Sequence, residues 1–296
     1  MAAVETDTIE KKTDEETGIK TVNSFEMIKP LGKGAFGKVK LCKDTRDGKL
    51  YALKIMDKTV LKKKRQGMSN MLQSVQREIA IMKKLNHENC VKMYEVLDCP
   101  TNPKLYIRIE YVDGGQSMPT GNDVPPLELD TARSYFKDLM RGLEYLHFNN
   151  VIHRDIKPEN LLITGTGMLK IADFGVSQVL ETDDDLISKS AGTPAFMAPE
   201  MCRAGAFHGK LGDLWACGCS LYMFAYGRVP FVNPSVFELY EDIQNKEIVY
   251  DEKIPADLID LLKLMLNKDV DERLKVTFAV INAHPWVTAG GGAPAI

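Results

Sequence analysis

The sequence lacks the features by which several classes of protein are usually identified. It has six cysteines among 296 residues, but no C-x-x-C pair and no zinc-ligand spacing, so we expect free thiols. Its longest apolar run falls short of a membrane span, and its polar, acidic first residues match neither a signal nor a transit peptide. The formal net charge of −3 gives no overall attraction to nucleic acid. These absences predict an intracellular protein that binds neither nucleic acid nor a membrane; the cytoplasm is the expected location, with the nucleus as the alternative.

The composition is that of an ordinary globular protein. The chain is 44% hydrophobic and 27% charged, and its length suits two packed lobes or one large domain. Residues 1–22 are rich in charge and contain no aromatic residue, which predicts a flexible polar tail. Residues 288–296, with three consecutive glycines, predict a second flexible tail. The ordered domain is therefore expected to span residues 23–287.

The chain is organised around residues 151–175, which read VIHRDIKPENLLITGTGMLKIADFG. The pattern predicts a loop, a short hairpin and a second loop, with Asp155 and Asn160 before the hairpin and Asp173 after it. Two acids and an amide on one rim suit phosphoryl transfer, because divalent cations need oxygen ligands and an attacking hydroxyl needs a carboxylate to accept its proton. The alternative is a hairpin with solvated polar residues, which does not account for the fixed spacing of these groups.

A second motif consists of three glycines near the N-terminus. Gly32, Gly34 and Gly37 are flanked on both sides by alternating apolar residues, which predicts a strand, a tight loop and a returning strand. Backbone N–H groups at glycine can close over phosphates because no side chain intervenes. The spacing also fits a dinucleotide-binding turn, but that turn is followed directly by a helix. Residues 39–41 continue as a strand, which favours a phosphate-covering hairpin.

Lys54 and Glu78 lie in two predicted elements that follow one another in the sequence. Lys54 lies in the returning strand, and Glu78 lies on an amphipathic helix with the apolar residues Ile79, Met82 and Leu85. Lys54 on its own also fits an ordinary surface lysine.

The rest of the chain predicts one more strand and then mainly helices. The strand at residues 104–112 leads into Gly114-Gly115, a connector that suits a hinge, and Arg108 within it has no sequence-based explanation. Residues 113–128 are predicted to be irregular. An amphipathic helix is predicted from Asp130, and residues 176–197 are too polar for regular structure. Further helices are predicted near Asp213 and over residues 234–244 and 255–266.

These motifs resemble those of the eukaryotic protein kinases over residues 25–287. The resemblance rests on the three glycines, Lys54, Glu78, His153-Arg154-Asp155, Asn160, Asp173-Phe174-Gly175, Ala198-Pro199-Glu200, Asp213 and Arg273. It implies the α+β, bilobal protein kinase fold, with a small β-rich N-lobe over residues 23–111 and a larger helical C-lobe over residues 112–287. It also implies an ion pair between Lys54 and Glu78 and another between Glu200 and Arg273.

The resemblance implies ATP and Mg²⁺ as cofactors, bound in a cleft, and assigns residues to them. Asp155 would accept the substrate proton, Lys157 would offset charge on the moving phosphoryl group, and Lys54 with Glu78 would orient the phosphates. Asn160 and Asp173 would bind the metal. The residues assigned to the nucleotide are Gly32, Lys33, Gly34, Ala35, Phe36, Gly37, Val39, Ala52, Lys54, Ile109, Glu110, Val112, Gln116 and Leu162. Lys157 is the mark of the serine/threonine type.

A narrower resemblance is to the calcium/calmodulin-dependent kinase kinases and related upstream kinases of the AMP-activated kinase family. It is carried by EVLDCPTNPKLY and above all by KSAGTPAFMAPE. It implies protein substrates, in particular activation-loop threonines of other kinases. The basic, proline-rich insert of that group is replaced by KKKRQGMSN, and no calmodulin-binding helix follows Trp286, so calmodulin binding is not expected of this chain. The rival class is a pseudokinase scaffold, whose usual mark is loss of the lysine or of an acid that is present here.

Two expectations concern specificity and activation. Gln116 stands after the hinge glycines, where kinases that require upstream arginine place an acid. Glu159 remains as one possible acid for that role. At the usual phosphorylation position, four residues before Thr193, the chain has Lys189, and Gln178 replaces a basic residue that usually binds the phosphate. Acids at 183–185 are predicted to pair with Arg154 or Lys189 instead, and the alternative is a solvated acidic loop. We therefore expect activity without activation-loop phosphorylation.

Overall fold

The computed structural model describes residues 3–33, 37–66, 69–182 and 184–289, which divide into two compact units. The described residues within 1–86 and 91–112 form the first unit, and those within 87–90 and 113–296 form the second. The predicted lobe boundary after residue 111 thus lies one residue before the observed one. Residues 87–90 go with the second unit because the Asn89 side chain donates to the carbonyl of Leu169 (2.9 Å) and its own carbonyl accepts from the N–H of Ile171 (2.8 Å).

An eight-stranded sheet dominates the first unit. Its strands are β1 (Val4–Thr6), β2 (Lys11–Thr13), β3 (Lys20–Val22), β4 (Phe25–Lys33), β5 (Gly37–Asp44), β6 (Leu50–Asp57), β9 (Met93–Asp98) and β10 (Lys104–Glu110). The remaining elements of this unit are α1 (Lys58–Lys63), the two-stranded pair β7 (Arg65–Gln66) and β8 (Ser69–Asn70), and α2 (Met71–Lys84). The spatial order is β1-β9-β10-β6-β5-β4-β3-β2, with β1 parallel to β9 and the other pairs antiparallel.

The sheet must curve strongly, because β1 and β2 occupy its opposite edges although only residues 7–10 separate them. Eight strands in a flat sheet would place the edges roughly 34 Å apart at about 4.8 Å per strand. Five residue steps reach at most about 18 Å. Inside the curve lies a core that includes Phe25, Leu53 and Tyr106, with Ile9 from the β1–β2 connection packed against it.

The prediction of a flexible tail at residues 1–22 is wrong for its described part. Residues 3–22 contribute strands β1, β2 and β3, and Val22 is buried in the core of the first unit. The charges that indicated disorder lie on exposed faces of edge strands, while a few apolar residues, Ile9 and Val22 among them, fix the segment to the sheet. Part of the second predicted tail, residues 290–296, lies outside the described residues, whereas residue 288 ends helix α9 (Pro285–Thr288).

The second unit is mainly helical. Its helices are α3 (Leu129–Phe148), α4 (Gly209–Tyr226), α5 (Val236–Asn245), α6 (Ala256–Met265), α7 (Val270–Arg273), α8 (Phe278–Ala283) and α9. Its strands are short: β11 (Val151–Ile152), β12 (Leu161–Ile163), β13 (Leu169–Ile171), β14 (Gln178–Val179), β15 (Leu186–Ile187) and β16 (Phe207–His208). Three 3₁₀ turns cover Pro158–Asn160, Pro194–Phe196 and Pro199–Cys202. The predicted helices are confirmed to within a few residues at each end.

Helix α4 is the centre of the second unit. It is apolar on all sides, and its side chains from Leu211 to Ala225 are buried. It ends at Gly227, whose φ of +71° and approach to the carbonyl of Val124 exclude a Cβ atom. Asp213 is its one acid and is buried, so it needs hydrogen-bonding partners. Two of those partners, the N–H groups of His153 and Arg154, belong to the loop that carries Asp155, and the third is the ring of His147 on α3.

Two further predictions have a structural outcome. The six cysteines, all within the described ranges, are free thiols as predicted. Among the helices that the structure describes, none is both long and apolar enough to cross a bilayer.

Candidate active site

Asp155 lies at the centre of a compact set of polar side chains in the second unit. Its Oδ2 is 2.9 Å from Nζ of Lys157 and accepts from Nδ2 of Asn160 at 2.9 Å. Its Oδ1 accepts from the hydroxyl of Thr193 at 2.8 Å, and that hydroxyl accepts from Lys157 at 2.7 Å. The carboxylate is therefore held by three groups and is oriented to accept a proton from a hydroxyl placed beside it.

The backbone of this loop is fixed by Asp213 of α4. The carboxylate of Asp213 accepts from the N–H groups of His153 and Arg154 at 2.8 Å each, and from the ring of His147 at 3.0 Å. Burial raises the pKa of Asp213, but the hydrogen bond from His147 and the nearby histidines outweigh it, so the pKa lies below its usual 3.8. Arg154 has a φ of +68°, which is unfavourable outside glycine. Asp213 holds the loop in this conformation.

Asn160 and Asp173 are brought together by the predicted hairpin. Strands β12 and β13 pair with Leu161 opposite Ile171, and the N–H of Ala172 donates to the carbonyl of Asn160 at 2.8 Å. Asn160 therefore precedes the hairpin, and Asp173 follows it, at the same end. Nδ2 of Asn160 points to Asp155, which leaves Oδ1 as the oxygen that can bind a cation.

These two side chains fit a small divalent cation. An amide oxygen and a carboxylate are hard donors, and a pair of them suits an ion that keeps water and phosphate oxygens as its other ligands. Asp173 has a φ of +60°, and its Oδ1 accepts from the N–H of Gly175 at 3.2 Å, so the turn after β13 orients the carboxylate. Metal binding by Asn160 and Asp173 stays a prediction.

Within the first unit, Lys54 and Glu78 form the predicted ion pair. Nζ of Lys54 on β6 lies 2.7 Å from Oε1 of Glu78 on α2, and the Glu78 side chain is only 6% exposed. Helix α2 begins with a capping box in which Asn70 and Gln73 exchange side-chain to backbone hydrogen bonds. Its apolar residues fix which face is buried, and Glu78 lies on that face.

The strand register places four of the predicted nucleotide-binding residues of the first unit on one face of the sheet. Val39 pairs with Lys54, and Ile109 pairs with Ala52. Because Ala52 and Lys54 are two residues apart and paired residues point the same way, all four side chains share a face. Gly32 and Lys33 end β4 and Gly37 begins β5, whereas Gly34, Ala35 and Phe36 lie outside the described residues.

The other predicted nucleotide contacts are divided between the units. Glu110 ends β10 and donates its N–H to the carbonyl of Lys92 (2.8 Å), and Val112 is buried. Gln116 and Leu162 belong to the second unit, where a β-bridge joins them. Their roles stay predictions.

Arg154 is held by groups of the segment that follows Gly175. Its Nη1 donates to Oε1 of Gln178 at 2.7 Å, and its Nε donates to the carbonyl of Val176 at 2.8 Å. Gln178 was noted in the sequence only as a missing basic residue. In the structure its amide is itself a partner of the Arg154 guanidinium.

The acidic run binds other partners than predicted. Oδ1 of Asp185 is 2.6 Å from Nδ1 of His208, and Oδ2 accepts from the N–H of Lys210 at 2.9 Å, at the start of α4. Asp184 accepts from a backbone N–H two residues later in its own segment. For these two acids the predicted pairing with Arg154 or Lys189 is therefore wrong, because the β15–β16 pair brings Asp185 to α4. Asp183 lies outside the described residues.

The predicted ion pair between Glu200 and Arg273 is confirmed. The Arg273 side chain is fully buried, contacts the carboxylate of Glu200 and stacks 5.3 Å from the ring of Trp215. Its Nη1 also donates to the carbonyl of Asn267 at 2.6 Å. Removing either charge would leave the other buried and uncompensated, so the pair is structural.

Sequence reasoning missed two functional contacts. The sequence identifies Thr193 only by its distance from the usual phosphorylation position, whereas in the structure its hydroxyl links Asp155 to Lys157. The turn that presents Thr193 depends on Gly192, which has a φ of +102° and lies against the carbonyl of Arg154. Asp213 was named without a role. A buried acid in an apolar helix indicates that a polar loop packs against it.

Comparison with known proteins agrees with this geometry. The family model of the protein kinase domain matches residues 25–287. A probable serine/threonine-protein kinase of Dictyostelium discoideum is 45% identical over 283 residues, which cover 94% of this chain and 40% of that protein. The calcium/calmodulin-dependent protein kinase kinase of Caenorhabditis elegans is 43% identical, covering 92% of this chain and 54% of its own length. Serine/threonine-protein kinase GRIK1 of Arabidopsis thaliana is 41% identical, with 95% and 70% covered.

The chain thus spans only about half the length of the first two of these relatives. The match to the kinase domain nevertheless includes nearly the whole described chain, with the catalytic loop, the hairpin and the Lys54–Glu78 pair. The chain therefore belongs to the protein kinase family, as a member of its serine/threonine type with the bilobal α+β fold.

Proposed function

We propose that this chain transfers the γ-phosphoryl group of ATP to hydroxyl groups of proteins, and that its substrates are activation-loop threonines of other kinases. The observation that carries the first part is the set of hydrogen bonds around Asp155, in which Lys157, Asn160 and Thr193 fix the carboxylate. Such a carboxylate is positioned to accept the proton of an attacking hydroxyl.

Each residue of the site has a stated role in this proposal. Asp155 accepts the proton, and Lys157 offsets the negative charge that develops on the transferring group. Lys54, held by Glu78, binds the α- and β-phosphates. Positioning and charge stabilisation supply the rate, and no covalent intermediate is needed.

Asn160 and Asp173 are proposed to hold Mg²⁺ through Oδ1 and the carboxylate. When bound, a divalent cation neutralises charge on the phosphate oxygens. The chain's own contribution is the rigidity of the pair. The β12–β13 hairpin fixes Asn160 through its backbone, Asp155 fixes the Asn160 amide, and the turn to Gly175 orients Asp173.

The proposed substrate class is supported by relatives and by the residues near the hinge. A protein 43% identical to this chain is named a calcium/calmodulin-dependent protein kinase kinase. Gln116, which stands where arginine-directed kinases have an acid, is exposed and accepts from the hydroxyl of Thr120 at 3.2 Å. A neutral amide cannot pair bidentately with guanidinium as a carboxylate does. We therefore propose recognition of a folded kinase domain rather than of a short arginine-containing motif.

The test compares a folded substrate with its peptide. A catalytically inactive kinase domain of the AMP-activated type and a peptide spanning its activation-loop threonine are incubated with the purified chain, Mg²⁺ and labelled ATP. We expect label on the threonine of the folded domain, a much lower kcat/KM for the peptide, and no label after Thr→Ala substitution. In an oriented peptide library, a dominant arginine three residues before the phosphosite would contradict the proposed recognition.

A further inference from the structure

Strand β1 contacts both strand β9 of the sheet and helix α2, which carries Glu78. We propose that β1 is a positioning element that holds α2, and with it Glu78, in the place where Glu78 meets Lys54. This inference rests on the proposed role of the Lys54–Glu78 pair.

Strand β1 contacts β9 through backbone pairing and through a side-chain hydrogen bond. The parallel register aligns Val4 with Glu95 and Thr6 with Leu97. The hydroxyl of Thr6 donates to Oε1 of Glu95 at 2.8 Å, and Glu95 is almost completely buried. A hydrogen bond to a buried carboxylate is stronger than one between neutral groups, so this contact fixes the end of β1.

Glu95 belongs to a cluster of four charges that are joined by ion pairs. Arg46 bridges Glu95 (2.6 Å) and Asp44 (2.8 Å), and Nη1 of Arg108 lies 2.5 Å from the buried Asp44. The Arg108 guanidinium also stacks over the ring of Tyr51 at 4.6 Å. The cluster explains the arginine in an otherwise apolar strand: Arg108 compensates two buried carboxylates. It gives β1 a rigid anchor.

The contact with α2 is an ion pair between Glu5 and Lys83. Lys83 lies in the last turn of α2, five residues after Glu78, which is about 7.5 Å along the axis. Because a helix moves as a rigid element, a displacement of its end displaces Glu78. A shift of 1 Å would lengthen the 2.7 Å contact with Lys54 beyond hydrogen-bonding range.

The arrangement makes β1 a brace from the sheet to the helix. One end is fixed to Glu95, and the adjacent residue, Glu5, holds Lys83. The Glu5–Lys83 pair is partly exposed, so its effect on the population of the paired Lys54–Glu78 state is modest, about two- to five-fold. We expect a change of that size in kcat at saturating ATP.

A charge exchange tests the brace in the full chain. Glu5→Lys and Lys83→Glu are each expected to lower kcat about two- to five-fold, and the double variant is expected to return it to within about 1.5-fold of the original. Asp7→Lys and Lys84→Glu make the same charge changes at exposed neighbouring positions and serve as matched controls, with kcat unchanged. Thr6→Val removes the contact with the buried acid and is expected to act like Glu5→Lys.

A second measurement separates positioning from general stability. In a Glu78→Gln background the residual activity is measured with and without Glu5→Lys. If β1 acts by positioning Glu78, its effect requires the Glu78 carboxylate, which this background lacks. Glu5→Lys is therefore expected to cause no further loss of kinase activity. The inference is overturned if the single exchanges leave kcat unchanged, if the double variant is no better than the singles, or if Glu5→Lys is equally harmful without Glu78. Normal kcat in Glu78→Gln alone would instead refute the proposed function.

Discussion

Replacement of Thr193 by valine is the sharpest test of the site geometry. Valine keeps the shape of threonine and removes only the hydroxyl. That hydroxyl donates to Asp155 at 2.8 Å and accepts from Lys157 at 2.7 Å, so the variant deletes one hydrogen bond from each charged group. Asp155 keeps Lys157 and Asn160 as partners, both at 2.9 Å. The carboxylate is therefore expected to stay in place but to be less well oriented.

The magnitude follows from the charges of the two partners. A hydrogen bond to an ionised group contributes about 1.5–3 kcal/mol. If most of that interaction is needed to orient Asp155 in the transition state, kcat falls roughly 10- to 100-fold. The KM for ATP should change little, because Thr193 is not among the nucleotide contacts.

The assay is steady-state phosphorylation of a kinase-domain substrate by wild type, Thr193→Val and Thr193→Ser. Serine retains the hydroxyl and is the matched control, with kcat expected within about three-fold of wild type. The reasoning would be refuted by a valine variant whose kcat equals that of the serine variant. Thermal unfolding of the three proteins checks that the loss is not one of folding.

Three more predictions follow from the same structure. Asp173→Asn and Lys54→Met should each lower the phosphorylation rate about 10²-fold or more. The circular dichroism spectrum should stay unchanged, because each substitution removes a charge and little packing. Near-normal turnover in either variant would argue against the assigned roles. Phosphatase-treated protein, and the double variant Ser188→Ala with Ser190→Ala, should keep most of the kinase activity, since Lys189 occupies the usual phosphorylation position. If either treatment abolishes the activity and phosphorylation restores it, the enzyme is instead switched on through Ser190. Burial raises the pKa of Asp44, but its hydrogen bonds from Arg46 outweigh burial and lower the pKa below its usual 3.8. Its contribution to stability is therefore present above about pH 3.8 and is lost as the pH falls through the folded-state pKa. Urea unfolding between about pH 5 and pH 2.5 should be less pH-dependent in Asp44→Asn than in wild type.

Most of the catalytic loop could be predicted because its chemistry constrains residue type and spacing together. Asp155, Asn160 and Asp173 have to flank one hairpin, and the turn at residues 164–167 is visible in the sequence as Thr-Gly-Thr-Gly. Lys54 and Glu78 could be paired from the resemblance to the protein kinases, and the clear period of the strand and of the helix placed both residues in regular elements.

The rest could not be predicted, for physical reasons that differ by region. Strands β1 and β2 have few apolar residues, and their stability comes from pairing at the edges of a curved sheet, which no local pattern records. Asp185 meets His208 only because β15 and β16 pair across residues 188–206. Arg108 is explained by Asp44 and Glu95, which lie far away in the sequence. Contacts between distant residues depend on the completed fold.

The central claim is that Asp155 serves as the proton acceptor in phosphoryl transfer to a protein hydroxyl. The most direct measurement incubates wild type and Asp155→Asn, in parallel, with Mg²⁺, labelled ATP and an inactive kinase-domain substrate, and maps the label by mass spectrometry. Asparagine preserves the size of the side chain and removes its basicity. The account predicts label on a substrate threonine with wild type and a rate lower by at least about 10² with the variant. Equal transfer by the two proteins, or no transfer by wild type, would contradict it.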